Sequence, residues 1–111
     1  MRNYEILHAN LIFDNQKKLL SQRELEVLIL VAAGFENAEM ALVFRVTLST
    51  IKKQLEKIFI KLKAKNRANA VFIAQHNNII SSHDYDVVLN SPDVADVLNN
   101  SEKSKERKHF L

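Results

Sequence analysis

Between Leu48 and Arg67 the chain reads LSTIKKQLEKIFIKLKAKNR, with seven basic residues in twenty positions. Ile51, Leu55, Ile58, Phe59 and Leu62, at spacings of 4, 3, 1 and 3, form the apolar stripe of a helix. Lys52, Lys53, Gln54, Glu56, Lys57 and Lys61 lie off that stripe, so the polar side of the same helix is rich in ammonium groups. Such a face can neutralise a polyanion. Thr47, Ser49 and Thr50 add hydroxyls short enough to reach phosphate oxygens, and the free N–H groups of a helix start do the same work. This is the chemistry of recognition, not of bond-making.

The rest of the chain offers no competing site. It contains no Cys, so disulfides and thiolate metal sites are excluded. His8, His76, His83 and His109 stand singly and suggest no metal ion. His83, Asp84 and Asp86 are near one another in sequence, but no nucleophile elbow, phosphate loop or convergent carboxylate pair accompanies them. No enzymatic activity and no cofactor are expected. The chain starts MRNYEILHAN, without the continuous apolar run of a signal peptide, and no window reaches the length of a membrane span. A cytoplasmic location is the simplest expectation.

The elements that must position the basic helix follow from composition and periodicity. At 111 residues, with one Gly, one Pro and 47% apolar residues, the chain suits one small all-α domain. Charge is unevenly spread: residues 21–80 hold nine Lys/Arg against five Asp/Glu, and residues 81–111 hold four against six. A polyanion partner therefore fits the middle of the chain only. Ser21 and Glu24 form a capping box that opens a first helix, followed by Leu25, Leu28, Ile29 and Ala32 on one stripe. Val27, Leu30 and Val31 widen the stripe, so this helix should be buried on most sides. Gly34 occupies the left-handed position just past its end. A short second helix should start at Asn37 as N-cap, with Glu39 in its first turn, and run to Phe44. Thr47 is the N-cap of the basic helix, Leu48 to Leu62, and Asn66 that of a fourth helix that frays at Asn77-Asn78.

Two helices joined by a tight turn, 37–44 and 48–62, read as a helix-turn-helix. With the apolar stripe turned inward, the second helix offers Leu48, Ser49, Lys52, Lys53 and Glu56 outward, and a helix of this size fits the major groove of a duplex. Residues 1–19 suit an arm or small hairpin. Beyond Ile80, SSHDYDVVLN looks polar and turn-rich. Ser91-Pro92-Asp93 opens a short helix over 92–98, whose Val94, Val97 and Leu98 need cover, and the charged tail after it reads as disordered.

Leu20–Val71 resembles, without a gap, the LuxR/FixJ-type helix-turn-helix of bacterial transcription regulators. The matching residues include Leu20, Arg23-Glu24, Glu26-Val27-Leu28, Ala33-Gly34, Asn37, Glu39, Ala41, Val46, Thr50, Ile51-Lys52, Ile58, Lys61-Leu62, Asn66-Arg67 and Ala70-Val71. The resemblance implies a four-helix domain over 20–80, an N-terminal arm over 1–19 and a C-terminal extension over 81–111. It implies base or backbone contacts from Lys52, Lys53 and Glu56, with Lys57 on the same helix. It implies phosphate contacts near Thr47, Ser49, Thr50, Lys65 and Arg67, and a structural tie between Glu24 and Arg67. It implies dimerisation through the fourth helix at Val71, Phe72 and Gln75. The function it implies is regulation of transcription by a stand-alone homodimer on double-stranded DNA. The alternative is an interaction module that acts on another regulator or on RNA polymerase.

The chain departs from the family pattern at several points. Gln54 stands where His is usual, and Lys63 takes a turn position often held by Gly. Glu56 would repel phosphate but can accept from a cytosine amino group. Nineteen residues precede Leu20, too few for a phosphoacceptor or ligand-binding domain, so control is expected from expression, dimerisation or a protein partner.

Overall fold

The computed structural model describes residues 20–109, and the expected arm at 1–19 lies outside them. Six helices follow in order: α1 (Gln22–Ala32), α2 (Asn37–Phe44), α3 (Leu48–Leu62), α4 (Arg67–His76), α5 (Ser82–Leu89) and α6 (Pro92–His109). The described residues contain no strand.

Local capping sets where the helices begin. The Ser21 N–H donates to Glu24 Oε1 at 2.8 Å, and the Glu24 N–H donates to Ser21 Oγ at 3.0 Å, which completes the capping box of α1. Thr47 Oγ1 accepts from the Thr50 N–H at 3.2 Å, and Asn66 Oδ1 accepts from the Asn69 N–H at 2.8 Å. One expected cap is wrong. Glu36, not Asn37, is the N-cap of α2, and its N–H donates to Glu39 Oε1 at 2.8 Å. Asn37 is displaced from capping because its side-chain oxygen accepts from Arg67 instead.

The first four helices end in the same way. A left-handed residue turns the chain, and the next N–H reaches back five residues along the helix. Phe35 donates to Leu30 O at 2.9 Å, Val46 to Ala41 O at 3.0 Å, Ala64 to Phe59 O at 2.8 Å and Ile79 to Ala74 O at 2.8 Å. The turning residues are Gly34, Arg45, Lys63 and Asn78, the last three at φ 56°. Each is followed by an apolar residue that packs on the core: Phe35 and Ile79 are buried, Val46 and Ala64 partly so. Burial of that next residue holds Arg45 and Lys63 in a conformation that costs a side-chain-bearing residue roughly 1 kcal/mol.

The core runs through all of this. Five consecutive residues of α1, Val27 to Val31, are buried, together with Met40 and Val43 of α2, Ile51, Leu55, Ile58 and Leu62 of α3, and Ala70 and Ala74 of α4. α3 lies against α1, α2 and α4. α1 is enclosed because α3 and α4 pack on it from one part of its surface and α5 from another.

The chain beyond Ile80 differs from expectation. The segment read as turn-rich is helix α5. Ser81 Oγ accepts from the Asp84 N–H at 3.1 Å and the Ser81 N–H donates to Asp84 Oδ2 at 2.9 Å, a second capping box. The helix forms because Tyr85, Val88 and Leu89 find an apolar surface to pack on. α6 opens at Pro92 as expected, but continues to His109, past the short helix over 92–98 and through the tail read as disordered. No Gly or Pro follows Pro92, and Glu, Lys and Arg are good helix formers. Val94 of α6 is buried in the same core as α1–α4, Val97 is half-buried, and Arg45 and Asp93 pair across α2 and α6 at 3.8 Å.

Gly34 has φ +92°, and a Cβ placed there would meet nothing within 4 Å. The cost of a side chain at this position is therefore conformational alone. Gly34→Ala is expected to lower stability by about 1 kcal/mol in urea unfolding, and Gly34→Asn by less, because Asn tolerates the left-handed region better.

Candidate nucleic-acid interface

The inward stripe of α3 decides which of its side chains face out. With Ile51, Leu55, Ile58 and Leu62 buried, Ser49, Lys52, Lys53, Glu56 and Lys57 are all exposed. Lys65, in the turn to α4, is exposed as well. α3 spans about 22 Å at 1.5 Å per residue, and its free N-terminal amides lie at the end that carries Ser49, Lys52 and Lys53. Four ammonium groups and one carboxylate thus line an outward surface anchored to the core along its whole length.

The structure divides the expected phosphate-contacting groups into free and engaged ones. Ser49, Lys52, Lys53, Lys57 and Lys65 have no side-chain hydrogen bond or ion pair within the described residues. Thr47 and Thr50 are engaged with each other, their hydroxyls 3.0 Å apart within the cap. Arg67 is also engaged. Its Nη1 donates to Asn37 Oδ1 at 2.6 Å and its Nη2 donates to the Phe35 carbonyl, so the guanidinium ties the start of α4 to the α1–α2 turn.

The expected tie between Glu24 and Arg67 is not formed. Glu24 instead accepts from Lys61 Nζ at 2.7 Å. Lys61 lies near the end of α3 on the flank that faces α1, and Arg67, the first residue of α4, meets Asn37 and Phe35. Lys61 is consequently withdrawn from the basic face. Burial pushes the Glu24 carboxyl up, but the Lys61 hydrogen bond, the Ser21 N–H, the Lys61 charge and the Ser21 hydroxyl together outweigh it and hold the group below its ordinary value.

The side-chain oxygen of Gln54 is buried with no hydrogen-bond partner. Leu48, 43% exposed, sits at the first position of α3, and Ile60, 76% exposed, near its end. On α4, Val71 is half-buried and Phe72 is 61% exposed, with its ring stacked on His76 at 5.3 Å. Gln75 Nε2 donates to the Tyr85 hydroxyl of α5 at 3.0 Å. A groove between α1, α2, α5 and α6 is rimmed by Arg23 and Arg45, with Arg23 4.3 Å above the Phe44 ring. The described residues hold no cluster of potential metal ligands and no helix long and apolar enough to cross a membrane.

Comparison with known proteins bears on this geometry. Residues 18–74 match the profile of the bacterial regulatory proteins, luxR family. The response regulator protein VraR of Staphylococcus aureus (strain NCTC 8325 / PS 47) is 36% identical over 63 residues, which is 57% of this chain and 30% of that protein. VraR of Staphylococcus epidermidis is 36% identical over the same length and coverage. The chain thus spans about 30% of the length of the curated relatives it matches. No solved structure matches it.

The Glu24 carboxylate stabilises the fold above its ordinary value, and that contribution is lost as pH falls through its depressed folded value. Glu24→Gln keeps an acceptor for the Ser21 N–H but removes the charge. It is expected to cost about 1–2 kcal/mol at neutral pH, given the partial exposure of Lys61. Chemical denaturation across pH should show a smaller loss of stability on acidification in the variant than in the wild type.

Proposed function

The chain belongs to the luxR family of bacterial regulatory proteins, and on that premise we propose that it regulates transcription by binding double-stranded DNA through α3. The observation that carries this reading is the outward face of α3. Ser49, Lys52, Lys53 and Lys57 are exposed and unengaged opposite a fully buried stripe, on a helix of the size that enters a major groove. Lys52, Lys53 and Glu56 approach the base edges. Ser49, Lys57, Lys65 and the amides at the start of α3 hold the phosphates. Thr47, Thr50 and Arg67 act indirectly, by fixing the start of α3 and the start of α4, in place of the direct phosphate contacts expected of them. Catalysis forms no part of this reading.

A homodimer on a two-fold site is part of the proposal, with Val71, Phe72 and Gln75 of α4 at the axis. An exposed phenylalanine ring stacked on a neighbouring side chain is a preformed apolar contact that a second copy can cover. Sedimentation of Phe72→Glu should give a monomer where the wild type dimerises, with the helical content unchanged.

Selection of bound sequences from random duplex DNA with the purified chain tests the reading. An enriched, roughly palindromic motif supports it. Absence of DNA binding refutes it and moves the assignment to a module that acts on another regulator or on RNA polymerase. Lys52→Ala combined with Lys53→Ala should leave the melting temperature unchanged, since both side chains are exposed. The same pair should weaken binding to the selected site by roughly a hundredfold and relax the sequence preference at the base pairs that the two lysines read.

A further inference from the structure

Leu48 is the first residue of α3 and the one large apolar side chain that the first turn of this helix leaves exposed. Its neighbours in sequence are the Thr47 cap and exposed Ser49, and Lys52 follows it one turn later on the same flank. Helix N-termini favour polar residues, and a leucine here leaves 43% of its surface exposed in the free protein. The position is also rigid. Thr47 Oγ1 accepts from the Thr50 N–H, Val46 is pinned back to Ala41 O, and Ile51, three residues on, is fully buried. The Thr47 and Thr50 hydroxyls, 3.0 Å apart, hold the first turn further in place. This end of α3 thus presents an isobutyl group fixed beside the Ser49 hydroxyl and the lysines.

A major groove presents donors and acceptors to polar side chains, but it offers an exposed leucine only one apolar partner, the C5-methyl group of thymine. Resting on the DNA reading above, we infer that Leu48 is a specificity-determining residue that packs on a thymine methyl and sets a preference for thymine at one position of each half-site. Lys52, four residues along, places its ammonium against the neighbouring base edge, so the two side chains read adjacent positions. Burying one methyl group against Leu48 is worth about three- to fivefold in affinity.

The test uses the site enriched by selection and the full chain. Each thymine of one half-site is replaced in turn by deoxyuridine, which lacks the methyl group and keeps the base pair, and affinity is read by fluorescence anisotropy at fixed salt. The wild type should lose about three- to fivefold at one position and little at the others. Leu48→Ala should bind the unmodified site about three- to fivefold more weakly and be indifferent to that replacement. Leu48→Met, which keeps an apolar side chain of similar length, should restore the discrimination. The inference is overturned if no single replacement affects the wild type, or if Leu48→Ala is as sensitive as the wild type. Binding without an enriched motif overturns it while DNA binding stands. Failure of the wild type to bind any duplex overturns the DNA reading itself.

Discussion

Burial of Ile51, Leu55, Ile58 and Leu62 along one side of α3 is the constraint on which the rest depends. A helix with four fully or nearly fully enclosed side chains on one stripe has a single rotational setting. Any rotation would bring Lys52 or Lys53 into the core, at a desolvation cost far above what one packing contact returns. The same burial that stabilises the domain therefore aims the lysines outward. The direction of the basic face and the stability of the fold are one physical fact.

Polar ties hold the neighbours of α3 in register. Glu24 joins the cap of α1 to the end of α3 through Lys61, and Arg67 joins the start of α4 to the turn between α1 and α2. In the first tie a carboxylate meets an ammonium, and in the second the Arg67 guanidinium donates to two neutral oxygens, so each of these charges is hydrogen-bonded. Between these ties the turns are short and alike. In the three turns after α2, α3 and α4 a residue other than glycine accepts a left-handed conformation, because the apolar residue that follows is drawn onto the core. The strain is local and the compensating burial is tertiary.

The two C-terminal helices change how the domain is enclosed. Without α5, the widened apolar surface of α1 would face water on one side. Without α6, Val94 would not fill its place beside the four-helix core. They also bring Tyr85 to Gln75, so the face of α4 proposed to meet a second copy is braced from α5. Packing on the helix-turn-helix thus couples this extension to both stability and the geometry of α4.

Much of this was legible in the residues. The capping box at Ser21 and Glu24, the caps at Thr47 and Asn66, the limits of α3 and the left-handed Gly34 all follow from interactions within a few positions of one another, and such interactions are written locally. The outward side of α3 was legible too, because periodicity fixes which residues share a face. What local pattern could not decide was partner choice across the fold. Glu24 selects Lys61 and Arg67 selects Asn37 because α3 and α4 bring those groups within reach, and Asn37 loses its capping role by the same proximity. α5 becomes a helix because α1 offers a surface to cover, and a short polar-looking segment carries no record of the surface it will meet. Sequence determined α1 to α4 and the side of α3 that faces out. Tertiary structure alone decided that α5 forms, and which polar groups are engaged inside the protein and which, at Ser49, Lys52, Lys53 and Lys57, are left free.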